Sequence, residues 1–129
     1  MDYYLYRNLD VSYDNLPSTL QSFSLYCNSL TKSQNNLPNL LESFHLKCHN
    51  FNQPIDYLPI SLKKLNISCR AFNQPLNNLP PKLHLLDIES DQFSQPLYNL
   101  PNELTSLILK CNTINVKPTL PYSLTELSL

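Results

Sequence analysis

Residues 58–78 read Leu58-Pro59-Ile60-Ser61-Leu62-Lys63-Lys64-Leu65-Asn66-Ile67-Ser68-Cys69-Arg70-Ala71-Phe72-Asn73-Gln74-Pro75-Leu76-Asn77-Asn78, and Leu79-Pro80 then begins the same pattern again. Working outward, the Leu-Pro step recurs at Pro17, Pro38, Pro59, Pro80, Pro101 and Pro121, with spacings of 21, 21, 21, 21 and 20 residues. A fixed period of this length is the mark of a repeat architecture. Counting from the Leu before each proline, the fifth position is Leu20, Leu41, Leu62, Leu83, Leu104 and Leu124. The eighth is Phe23, Phe44, Leu65, Leu86, Leu107 and Leu127, and the tenth is Leu25, Leu46, Ile67, Ile88, Leu109 and Leu129. The twelfth reads Cys27, Cys48, Cys69, Ser90 and Cys111, and the fifteenth Leu30, Phe51, Phe72, Phe93 and Ile114.

Positions eight, ten and twelve alternate with polar residues, which is the period of a strand with one buried face. A second proline in nearly every unit, after the one in the Leu-Pro step, leaves no room for long helices. One unit cannot bury its own apolar side, but stacked units pair each strand in parallel with the next and close a continuous interior. The expected fold is a solenoid of about six coils, with repeats starting at 16, 37, 58, 79, 100 and 120. It has one parallel β-sheet face, extended or 3-10 turns on the opposite side and little or no α-helix. Residues 1–15 are expected to cap the first coil, with Tyr3, Tyr4, Leu5, Tyr6 and Leu9 covering it.

Composition narrows function by exclusion. The 129 residues contain 27 Leu, 16 Asn, 11 Pro and no Gly. Glycine-built phosphate loops and the G-x-S-x-G nucleophile elbow are therefore absent. A net charge of -1 argues against the basic surface that nucleic acid or an anionic membrane requires. The opening residues lack the basic start and apolar stretch of a secretory signal, so a cytoplasmic location is expected. Asn takes over turn formation from Gly, since its amide tolerates positive φ and bonds locally. Asn15, Asn36, Asn78 and Asn99 stand before Leu-Pro steps, and Asn52 and Asn73 are expected to cap backbone groups in the bend.

The spacing L-x-x-L-x-L-x-x-x-x-[FLI] resembles a leucine-rich repeat. Phe51-Asn52-Gln53-Pro54-Ile55 and Phe72-Asn73-Gln74-Pro75-Leu76 resemble the FNIP repeat, a relative of that class, and Phe93-Ser94-Gln95-Pro96-Leu97 is a slightly altered third copy. The first copy departs with Leu30-Thr31-Lys32-Ser33, and the fifth with Ile114-Asn115-Val116. FNIP repeats are familiar in amoebae and in the giant viruses that infect them, often following an F-box. The resemblance implies a viral or host partner-binding array that selects proteins for ubiquitination where an F-box accompanies it. No F-box is evident in the 15 or so residues before the first repeat.

Candidate chemistry has plain structural readings. Cysteines 21 residues apart in one column form a ladder, not a tetrahedron, so free thiols are expected in place of zinc or disulfides. Asp87, Glu89 and Asp91 are expected to face basic residues on neighbouring rungs, Arg70 against Asp91 and Lys110 against Glu89. No acid, base and nucleophile converge, and neither catalysis nor a cofactor is expected. Function is expected on the outward strand residues, which packing constrains least. The candidate partner face comprises Tyr26; His45 and Lys47; Asn66, Ser68 and Arg70; Asp87 and Glu89; Ile108 and Lys110, rung by rung. The expected occupant is a host or viral protein or peptide, with Tyr26 and Ile108 as anchors. A second reading is assembly: the chain stops at Leu129 in the strand of its sixth unit, and that uncapped edge is expected to pair with another copy as a homodimer or to receive a different protein.

Overall fold

The computed structural model describes residues 2–7, 15–112 and 119–129. It is a single seven-stranded sheet in sequence order, β1 (Asp2–Arg7), β2 (Ser22–Cys27), β3 (Ser43–Cys48), β4 (Lys64–Ser68), β5 (Leu85–Ser90), β6 (Ser106–Cys111) and β7 (Glu126–Ser128). Every pair is parallel. No helix occurs among the described residues. The result is a leucine-rich-repeat-like parallel solenoid of 21-residue coils, as the periodicity requires.

Register is pure translation. Phe23 pairs with Phe44, Phe44 with Leu65, Leu65 with Leu86, Leu86 with Leu107 and Leu107 with Leu127. Six strand spacings of about 4.8 Å give a sheet roughly 29 Å across. The opening segment joins this sheet as a strand in register, Tyr3 opposite Phe23, so its backbone forms a further rung. Leu9 of the expected cap lies outside the described residues, as do Ile114, Asn115 and Val116.

Three local devices convert the repeat into coils. First, the carbonyl of each Leu-Pro proline accepts the N–H three residues on, as in Leu62 to Pro59 at 3.0 Å, and this turn recurs in all six units. Its two central residues point outward, which is why Leu40 and Ile60 are exposed although both are large and apolar. Second, a single carbonyl receives two amides of the next coil at the strand entrance: Lys63 and Lys64 both donate to Glu42, at 2.8 and 3.0 Å. Third, the bend after the strand is held by a ladder of phenylalanines and asparagines. Phe51, Phe72 and Phe93 stack nearly parallel at 6.0 and 6.1 Å, each pair contributing about 0.5–1.5 kcal/mol beyond burial. Asn52 Oδ1 accepts the Asn73 N–H at 2.9 Å and Gln74 Nε2 at 3.0 Å. Asn73 Oδ1 repeats the contact with the Ser94 N–H at 2.9 Å and Gln95 Nε2 at 3.2 Å. The asparagines thus cap the bend of the following coil, each amide locking its neighbour.

Asparagine before Leu-Pro behaves differently from expectation. Among the described non-glycine residues only Asn99 has a positive φ, 56°. Asn36 and Asn78 stand before the same proline turn without it.

The core is one continuous cluster, from Leu20 to Leu109, of fully or almost fully buried side chains. In the twelfth column Cys48 and Cys69 are buried, and all four cysteines are free. Ser90 is more than a filler of the same slot. Its hydroxyl lies 2.7 Å from the Phe72 carbonyl and 3.0 Å from that of Arg70, and so ties down the bend of the preceding coil.

Candidate partner-binding face

Outward residues of the strands fall into straight files because the register never slips. Ser24, His45, Asn66, Asp87 and Ile108 form one file, and Tyr26, Lys47, Ser68, Glu89 and Lys110 the next. Burial supports the assignment along most of the sheet, where these positions are half-buried or exposed while their strand neighbours are buried. Ser106 departs from it. This outward residue is only 8% exposed, and its hydroxyl donates to Glu126 Oε2 at 2.6 Å, so β6 is partly covered by β7.

Seven of the ten candidate residues meet in one groove of about 320 Å³. Tyr26 walls it at β2, His45 and Lys47 line it at β3, Asn66 and Ser68 form its floor at β4, and Asp87 and Glu89 close it at β5. Tyr26 Oη lies 3.4 Å from His45 Nδ1, with the two rings edge-on at 5.4 Å. Burial chiefly, and then Lys47, lower the pKa of His45, while Asp87 opposes them, so the ring is neutral at pH 7. Asn66 Nδ2 donates to Asp87 Oδ2 at 3.2 Å and Ser68 Oγ to Glu89 Oε2 at 3.0 Å. The floor of the groove therefore orients both carboxylates.

The remaining three candidates lie elsewhere. Arg70 lines an adjoining cleft of about 460 Å³ at the strand exits, together with Asn28, His49 and Asp91. There Arg70 Nε sits 3.8 Å from Asp91 Oδ2, as the one-rung offset predicts, and both side chains are mostly exposed. Such a pair contributes about 0–1 kcal/mol. Ile108 and Lys110 line neither hollow. Lys110 does stand opposite Glu89 in register, but the Glu89 carboxylate bonds to Ser68 instead. Sequence reasoning also missed the cleft itself, which is built where β4 ends one residue earlier than β3 and β5. It missed the exposed turn residues Leu40, Tyr57 and Ile60 as well. Their place beside Leu-Pro steps was the available signal.

No group of three or more His, Cys, Asp or Glu side chains suited to a metal ion occurs among the described residues. No helix of the described residues is long and apolar enough to cross a membrane. Burial pushes the Cys69 thiol up to about 12, the opposite of what a reactive nucleophile needs.

The coil has a solved counterpart. CroV588, a giant-virus protein whose crystal structure is described as a novel circular LRR protein, is similar over 97% of this chain, with 29% identity and a TM-score of 0.62. The match covers 23% of CroV588, so the chain spans under a quarter of that protein's length. No protein-family model matches the sequence, and the search among curated proteins returns no match. The likeness is one of fold, and folds of this type commonly mediate protein–protein interaction and are typically non-enzymatic.

Proposed function

We propose that the protein is a non-enzymatic binding module that docks another protein, or a peptide segment of one, on the exposed face of its parallel sheet. The observation that carries this reading is the groove across β2 to β5, where a tyrosine, a lysine and two oriented carboxylates share a surface that the fold does not need for packing. Aromatic and charged groups in such a hollow are the side chains that provide affinity and register at interfaces. The two carboxylates on β5 disfavour nucleic acid as the occupant. Four free cysteines favour a reducing compartment, and the reading places the module in the cytoplasm. Its resemblance to FNIP arrays extends the proposal to substrate selection for ubiquitination, with the ligase-docking part supplied by another segment or subunit.

The test compares the chain with a His45→Glu/Lys47→Glu/Arg70→Glu variant as bait in an amoeba lysate, followed by quantitative mass spectrometry. At least one protein is expected to fall tenfold or more with the variant. An identical profile for both baits defeats the proposal, and ligase subunits among the lost proteins would support the ubiquitination branch.

A second reading rests on β7. Leu127 is 46% exposed, whereas Leu107 and Leu86 in the same file are 0%, and the outer edge of β7 pairs with no described strand. A further coil would bury this file, supplied by a continuation of the chain or by a second copy. Light scattering on the 129-residue chain at high concentration should then show a dimer that Leu127→Asp dissociates. A strict monomer removes this reading.

A further inference from the structure

The groove has a direction, a length and a charge order that together describe its occupant more closely than the binding role alone, on which this inference rests. Tyr26, Lys47, Ser68 and Glu89 stand in one file because each is the register partner of the next. The file runs across the strands, along the axis of the rod, over three spacings of about 4.8 Å, or roughly 14 Å. An extended or polyproline chain rises about 3.1–3.4 Å per residue, so four or five residues span it.

Charge changes along the file. Lys47 on β3 is exposed, and the three ion pairs among the described residues are Lys63–Glu42, Arg70–Asp91 and His84–Glu103, none of which uses Lys47, Asp87 or Glu89. Lys47 and Glu89 are two spacings apart, about 10 Å, with uncharged Ser68 between them. At that separation salt screens their mutual attraction, and neither neutralises the other. The parallel file shares only the acidic end, with Asp87 beside Glu89 but neutral His45 beside Lys47. Ten ångströms corresponds to three residues of extended chain. We infer that the groove receives an extended peptide segment lying along the rod axis, with an Asp or Glu side chain on Lys47 and a Lys or Arg three residues away on Asp87 and Glu89. An apolar residue beside the acidic one would rest against Tyr26. Phosphodiester chains do not fit, since their uniform negative charge meets two carboxylates at β5.

A random dodecapeptide display library, panned on the immobilised chain and on its Lys47→Glu variant, tests the inference. Lys47 is exposed, so the variant is expected to fold, and its circular dichroism and melting curve check this. On the native chain, sequences with an acidic and a basic residue three apart should be enriched at least tenfold over the same spacing with neutral residues. On Lys47→Glu the preference should move to two basic residues three apart. Enrichment that Lys47→Glu abolishes but that carries no charge pair at this spacing overturns the inference and leaves docking on the face intact. Enrichment indifferent to Lys47→Glu, or none at all, overturns both.

Discussion

Cys69 carries a measurable consequence of its burial. Its thiol is pushed up to about 12 from an ordinary value of 9 because the thiolate is desolvated inside the stack. Above pH 9 the unfolded chain releases this proton while the folded chain keeps it. The stabilisation is therefore complete below pH 9 and is lost as pH rises towards 12. Denaturation by urea across pH 8–11 should show stability falling more steeply in the native protein than in Cys69→Ala, whose loss of packing is independent of pH. Parallel slopes would contradict the account. Asn73 supports a second prediction at the same scale. Its Oδ1 accepts from Ser94 and Gln95, so Asn73→Ala removes both bonds from a bend that water reaches and should cost about 0.5–1.5 kcal/mol in chemical denaturation. Neither role is available to the exposed Asn77, where the same substitution should be close to neutral.

At the scale of the element, the strands and their files were legible because translation by one repeat is the only operation the fold uses. Phe44 over Phe23 and Leu46 over Leu25 follow from aligning the Leu-Pro steps. The role of Asn52 and Asn73 was half legible: asparagine signals a capped bend, but that each amide reaches the next coil depends on how closely the bends stack. Ser90 stands in the cysteine column, and sequence does not show that two carbonyls of the bend in the preceding coil converge on its hydroxyl. The pairing of the opening segment as a strand was not legible, since its 20-residue offset from β2 lacks the Leu-Pro marker that aligns the other units. Of the candidate face, columns nine and eleven were legible from alternation alone. Arg70 fell outside the groove because β4 ends at Ser68, and alternation stops with the strand.

Across the whole molecule, the twofold acceptors at the strand entrances make the five joints from β2 to β7 alike. Glu42 holds the coil after it as Lys63 and His84 hold theirs. Removing residues 58–78 would bring Glu42 opposite His84 and Leu85, Phe51 over Phe93, and Asn52 beside Ser94, each a substitute of the same kind as the partner lost. Such a shortened chain should retain the same strand signal per residue in circular dichroism, with a lower melting temperature because one coil interface is gone. Gene duplication of the same block should lengthen the rod without a new joint ever having to evolve, so this protein's size is a quantity that whole-unit recombination can adjust in steps.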